Sequence, residues 1–490
     1  MLAAGLLGCR SAEQPTARHI VIGQITSAVT LDPHGHDQAQ TSITLSHFYE
    51  SLVTFGSEME LKPLLAQRWE SPSETVWRFH LRRGVRFHDG RPFGAEDAAA
   101  SLRRAGRPDS HLRYYIQTIQ DVRVIDDATL EVVTRHPSPV LLNKLVFVPI
   151  VPRDTGADPI TRPVGTGPYR FVGGRPGASI VGQRFPDYWG ASPAFEQVTL
   201  LPIPDARDRA TAVAAGRADI VSQFPSQYWE EGLRQSNVKL VSRQGLSTVL
   251  LGFSLRPGSP FADPRLRQVV ALAIDRDRIV RDALQRLGTP LDQIVPPSVA
   301  GYSSGLPLFR HDLDAARALL KQLHLPDRPI ELLVADAHQE VGLEVALQLQ
   351  ELGLAVVPTT LPQKEFYERW SREEFPLSVI GWSTTTGDAS GSYEPLLHSP
   401  VEGFGRFNRF AYSNKRLDQL IELSDQAQNP EDRREPLTAA ARIVQEDLPI
   451  LPLALRYDLY AGRKDLDWRP RLDRRIRAFE VRPVQNPAER

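Results

Sequence analysis

Residues 77–101, WRFHLRRGVRFHDGRPFGAEDAAAS, constrain the fold more than any other stretch, because strand, turn and helix signals follow one another without a gap. Trp77, Phe79 and Leu81 alternate with Arg78, His80 and Arg82, the period of a strand with one buried face. Arg83-Gly84 makes a turn, Val85 and Phe87 resume the alternation, and Asp89-Gly90 tolerates the positive φ of a tight turn, so a hairpin is predicted. Pro92 and Phe93 lead into a helix that Gly94 can cap, with Glu96 and Asp97 at the positive end of its dipole. The local prediction is a hairpin packed beside a helix.

A chain of 490 residues cannot share one core, and domains of about 150 residues imply roughly three. With 58 Lys and Arg against 59 Asp and Glu, no global field draws it to nucleic acid or to an anionic membrane. Residues 463–482 are the local exception, with eight basic residues against four acids, and are predicted to form a solvated face. The single cysteine, Cys9, excludes an internal disulfide and a multi-thiolate metal site. His34 and His36, with Gly35 between them and Asp37 behind, are predicted to lie in a solvated loop and not to bind metal. No H-E-x-x-H, G-x-S-x-G, Walker or dinucleotide motif occurs; neither an enzyme nor a cofactor is expected.

In chain order, residues 19–24 read as a strand and 41–55 as a helix with Ile43, Leu45, Phe48, Leu52 and Val53 on one face. Residues 122–134 read as two strands about Asp126-Asp127, and the loop PVGTGPY at 163–169 lacks the lysine of a phosphate-binding loop. Residues 247–254 form a β-rich run. Beyond it Asp263 caps a helix with Pro264 in its first turn, Asp275 caps the next, and helices follow at 312–323 and at 341–352, the latter closed by Gly353. Two more helices are expected at 413–424 and 437–448, the second starting or kinked at Pro436, before a strand at 449–460. Alternating strands and helices favour an α/β domain.

The stretch 77–97 resembles the signature of the family 5 extracellular solute-binding proteins, the peptide, nickel and related binding subunits of ATP-driven importers, W-x-F-x-L-R-x-G-V-x-F-H-D-G-x-P-F-x-A-E-D. PFADPRLRQVVALAID at 260–275 resembles a second signature, and 163–169, Tyr188-Trp189, 212–219 and 449–460 occur in family order. The resemblance implies an α/β, two-lobed periplasmic-binding-protein-like fold (type II, large cluster C-like) with an extra accessory domain in the first lobe. Its expected divisions are 1–18 as lipobox and tether, 19–48 with 163–250 and 457–490 as domain I, 49–162 as accessory domain II, and 251–456 as domain III.

Such a protein captures a peptide-like molecule, sugar conjugate or metal chelate between its lobes by hinge closure, here at 250–254 and 455–460, and delivers it to the transmembrane subunits of an ABC importer. A monomer without cofactor or nucleic-acid partner is implied, in the periplasm or at the cell surface. A ligand-sensing domain of a regulator is the alternative, and a hydrolase a more distant one; about 18 residues before the fold and nine after it are too few for a helix-turn-helix. Leu6-Leu7-Gly8-Cys9 resembles a lipobox, making Cys9 the expected lipid-attachment site. Residues 1–8 hold no Lys or Arg and about half the apolar length of a secretory signal, so either a leader begins further upstream or the match is chance.

The expected ligand-binding residues are Thr26, Ser27, Phe253, Ser254, Trp382, Thr384, Thr385 and Asp388. In peptide-binding relatives a Trp is followed three residues later by an Asp that pairs with the ligand's α-amino group; here that position is Thr385. Asp388 either substitutes for it or serves a turn or helix cap beside Gly387. No Arg lies between Arg328 and Arg369, the segment where dipeptide binders hold the ligand carboxylate. The hydroxyls suit a neutral amide- or hydroxyl-bearing ligand better than a bare ammonium. Trp382→Ala and Asp388→Ala are then expected to weaken ligand and leave unfolding of the empty protein nearly unchanged.

Overall fold

Two long antiparallel strands, Val238–Phe253 and Ile450–Arg463, carry the chain from one half of the molecule to the other. The computed structural model describes residues 19–484 except 326, 327, 402 and 428. Both strands lie in one eleven-stranded sheet. Their register runs from Val238 opposite Arg463 to Gln244 opposite Tyr457, breaks, and resumes with Thr248 opposite Leu455. On the near side of the break, Ile450–Arg463 pairs with Ile220–Ser222, beside His19–Gln24 and Gln197–Pro202. On the far side, Val238–Phe253 pairs with Leu377–Ser383, beside Ile330–Ala335 and Val356–Leu361. Gly245 sits at the break, where a Cβ would run into the Asp458 carboxylate.

Beyond the break, residues 248–253 and 332–335 are buried on both faces of the sheet. Val249, Leu251 and Phe253 enter one core with Leu332, Val334 and the helix Gln339–Leu352, while Leu250 enters another with Leu333, Ile380 and the helices Lys415–Gln426 and Pro430–Asp447. The alternation of side chains along one strand therefore feeds two cores. The predicted caps form: Asp263 accepts from Arg265 N and Asp275 from Arg278 N, and Gly353 closes its helix at φ 105°; Asp312 caps its helix as well, accepting from Ala315 N. Pro430–Asp447 begins ahead of the boundary expected at Pro436. Pro436 leaves the Asp432 carbonyl without its helical donor, but Leu437, Ala440, Ala441 and Val444 pack into the core and hold the helix through it.

The accessory sheet runs Ala66–Ser73, Val76–Leu81, Thr129–Thr134, Ile119–Asp126, with the helix Ala95–Ala105 against it. Val76–Leu81 is the strand expected, yet its partners are Ala66–Ser73 and Thr129–Thr134, and residues 85–87 form no hairpin with it. Instead Phe93 N donates to Val85 O and Phe87 N to Arg91 O, folding 85–93 onto itself and burying Val85 and Phe87 in the core of the helix. A two-residue alternation records burial, not pairing. Asp97 closes the helix start, accepting from Gly94 N and Arg153 N at 2.9 Å each.

Three other expectations change. The first helix is Ala39–Leu45 and does not reach residue 55, because Gly167 N, Tyr169 N and Ile150 N donate to the carbonyls of Phe48, His47 and Glu50. A Cβ at Gly167 would lie 2.7 Å from the Phe48 carbonyl carbon, which is why PVGTGPY carries glycine there. His34 is buried rather than solvated, its Nε2 2.8 Å from Pro149 O, and burial lowers its pKa to about 4. Within 463–482 the solvated face is only partial: Arg463, Lys464 and Arg469 are exposed, but Arg471 is buried against Asp473, Glu480 and the Phe55 and Gly56 carbonyls, and Arg475 on Ser42 and Arg477 on Thr54 and Glu480 are largely covered. These three guanidinium groups find acceptors inside the first lobe, which a count of local charges does not register. Cys9 lies outside the described residues.

Candidate ligand site

The strand Leu377–Ser383 delivers the loop on which four of the expected ligand residues stand. Trp382 meets Phe407 edge-on at 5.5 Å, and its Nε1 donates to Ser392 Oγ at 3.2 Å. Thr384 Oγ1 shares a hydrogen bond with the same Ser392 hydroxyl at 2.8 Å and is fully buried. Gly387 turns the chain at φ 67° against Met59. Asp388 is buried and bidentate with Arg433, at 2.6 and 2.7 Å, while its Oδ1 also accepts from Ser390 N at 3.0 Å. Burial would raise its pKa, but the Arg433 guanidinium outweighs burial and the net shift is downward. Asp388 thus starts the helix Ser390–Leu397 and neutralises a buried arginine; Arg433 already occupies it. The Thr385 hydroxyl makes no hydrogen bond among the described residues.

The other four stand apart. Thr26 is exposed, and Ser27 is buried with Oγ on Ala178 O at 2.6 Å inside the first lobe. Phe253 is a core residue packed on Phe261 at 5.1 Å, and Ser254 is buried with its N–H on Pro376 O.

Around the loop the two halves of the molecule touch. Asn143 Nδ2 donates to Thr386 O at 2.8 Å, Gln117 Nε2 to Gly403 O at 3.0 Å, and Arg474 to Ser383 Oγ at 3.0 Å. Arg406 reaches Asp37 at 3.0 Å, and Lys144 Nζ lies 3.3 Å from Glu394 Oε2 with both side chains buried. Between these contacts lies a chamber of about 840 Å³, with Arg113, Tyr114, Arg135 and Lys144 on the accessory side and Glu394, Phe404, Arg406 and Asp425 on the second lobe. Its volume is that of a small-molecule site. None of the eight expected residues lines it.

The chamber's electrostatics are unbalanced. Lys144 pairs with Glu394, and although burial alone would lower its pKa, the charges of Glu394 and Asp425 raise it on balance. Burial first, and Glu394 second, push Asp425 up to about 7, with Lys144 opposing. Burial and Glu394 also push the Tyr114 phenol well up. Glu394 Oε1 and Asp425 Oδ1 are sealed from solvent and find no hydrogen-bond partner among the described residues.

Glu394, Asp425 and Lys144 were not singled out from sequence, although a signal existed. Asp425 follows Leu417, Ile421 and Ser424 on the buried stripe of its helix, and Lys144 interrupts the apolar run of the helix Leu141–Leu145. A charge at a core position of a periodic helix is that signal.

A sequence profile for bacterial extracellular solute-binding proteins, family 5 Middle, matches residues 60–404. Among curated proteins, the glutathione-binding protein GsiB of Salmonella choleraesuis (strain SC-B67) is 27% identical over 471 residues, covering 92% of this chain and 91% of that protein. GsiB of Escherichia coli O1:K1 / APEC is 26% identical over the same length. Among solved structures, the periplasmic binding protein DppA of Helicobacter pylori with peptide STSA superposes with a TM-score of 0.83 at 21% identity, over 95% of this chain and 98% of that one. NikZ of Campylobacter jejuni with Ni(L-His) gives 0.84 at 18% identity, over 95% and 99%. The two-lobed α/β fold expected from sequence is the fold of these structures.

Proposed function

We propose that this chain, which belongs to the bacterial extracellular solute-binding proteins of family 5, holds a peptide-like or conjugate small molecule in the chamber between its accessory domain and second lobe and presents it to the membrane subunits of an ABC importer. It is a binding protein of transport and not an enzyme. The reading of the ligand's place is carried by one observation: the halves meet through Asn143, Lys144, Gln117 and Arg406 around a space large enough for a solute. A solute touching both sides stabilises this closed form over an open one by its differential contacts, so binding and closure are one event.

In this reading the divisions are domain I at 19–48, 163–250 and 457–490, domain II at 49–162 and domain III at 251–456. The register break at 245–247, opposite Arg456, supports a hinge there, because a broken ladder flexes more easily than a continuous one. GsiB is named for glutathione and DppA was solved with a peptide, which favours a peptide-like solute here. A lipid on Cys9, anchoring a monomer at the membrane surface, completes the proposal. Among the described residues no helix is long and apolar enough to cross a membrane. Cys9→Ser is expected to release the protein from membranes when its native leader is present.

Mass spectrometry of small molecules released from the purified protein identifies the solute, and X-ray scattering tests the motion. The radius of gyration should fall when solute is restored to stripped protein. An unchanged radius at saturation contradicts hinge closure.

A further inference from the structure

Resting on the chamber as the solute site, the geometry points to Glu394 and Asp425 as its cation-recognising end, a pair of carboxylates that receives an ammonium group of the solute. Lys144 pairs with Glu394 and the neighbouring acid Asp388 with Arg433, while Asp425 has no ion-pair partner among the described residues, so the cluster carries one negative charge in excess when Asp425 is ionised. Both acids line the chamber. Glu394 is 1% exposed, and with Oε2 beside Lys144 its Oε1 has no hydrogen-bond partner among the described residues, nor has Asp425 Oδ1.

A buried carboxylate with an unmade hydrogen bond is costly unless a donor arrives, and an ammonium brings three. Burial and Glu394 hold Asp425 near neutrality, as expected of an acid that lacks one counter-charge. A metal ion fits less well, since the ammonium of Lys144 already sits among the oxygens and two carboxylates are few donors for a hard cation. The carboxylate absent at Thr385 thus has a counterpart on the helices Ser390–Leu397 and Lys415–Gln426. The opposite charge is at hand as well: Arg113 lines the same chamber, so a solute with separated amino and carboxylate ends would find both complements.

The test uses two probes on the full chain. Mixed-sequence tripeptides, free or N-acetylated, are offered at equal concentration and the retained species weighed by mass spectrometry; separately, benzylamine is compared with benzyl alcohol by thermal shift. Both are repeated on Asp425→Asn, which keeps the Lys144–Glu394 pair intact and mimics the protonated acid. The inference expects free tripeptides to be retained about tenfold or more over acetylated ones, and benzylamine alone to raise Tm, with both preferences lost in Asp425→Asn. Retention of neither library while benzylamine still stabilises only the wild type would sink the peptide-like reading and support the cation end. Equal retention of both libraries, a preference unchanged by Asp425→Asn, or retention of neither library with no amine preference overturns the inference.

Discussion

The loop at 382–392 and the chamber between 113–144 and 394–425 are both rich in polar groups, but they differ in what those groups have left to give. In the loop, Trp382 and Thr384 share Ser392, and Asp388 is bound twice to Arg433. In the chamber, Lys144 pairs with Glu394, and Glu394 and Asp425 each keep an oxygen without a hydrogen-bond partner among the described residues. A polar group whose partners lie within the fold stabilises the fold, and one with spare capacity is available to a ligand.

The largest effect should come from breaking the satisfied pair. Asp388→Ala strands a buried guanidinium and is expected to cost about 3–5 kcal/mol in urea unfolding, against the sequence expectation that it would leave the empty protein unchanged. Joint replacement of Asp388 and Arg433 by apolar residues should recover much of that loss; a single mutant as stable as wild type would show that the pair is not structural. Trp382→Ala comes next, at roughly 2 kcal/mol, since the half-buried indole loses its edge contact with Phe407 and its bond to Ser392. Calorimetry of the empty protein measures it, and no change in Tm would return Trp382 to a purely ligand-facing role.

Much of this architecture was legible in the chain. Caps at Asp263 and Asp275, the closing glycine Gly353 and the strand at 76–81 were readable because each depends on neighbours a few residues away. What failed was non-local. The helix expected to reach residue 55 stops at Leu45 because a segment more than a hundred residues later takes its carbonyls, and Arg433 lies 45 positions from the aspartate it neutralises. Asp425 and Lys144 carried the faint signal of charge at buried helical positions, but nothing local indicated that Lys144 pairs with Glu394, 250 residues away.

A smaller effect belongs to pH. Asp425 is raised to about 7 in the folded chain from an ordinary value near 3.8, so the native state binds the extra proton. Its contribution is neutral below pH 4 and becomes increasingly destabilising as pH climbs through 7. Lys144, Glu394, Asp388 and Arg433 act on this carboxyl, and Asp458 and Glu50 are raised as well, so the difference between wild type and variant isolates it. Asp425→Asn should gain stability over wild type at pH 8 relative to pH 5; parallel urea midpoints at both values would contradict this. The smallest effect is expected at Thr385, whose hydroxyl makes no bond within the described fold: Thr385→Val should change unfolding by no more than about 0.5 kcal/mol. A larger loss would place Thr385 among the satisfied groups of the loop.

The most direct measurement is a crystal structure of the protein with the solute that mass spectrometry identifies. The account predicts that solute in the chamber, its amino group within hydrogen-bond distance of Asp425 or Glu394, with the Asp388–Arg433 pair undisturbed. A solute seated on Trp382 and Asp388, with Arg433 displaced and the chamber holding only water, would contradict it.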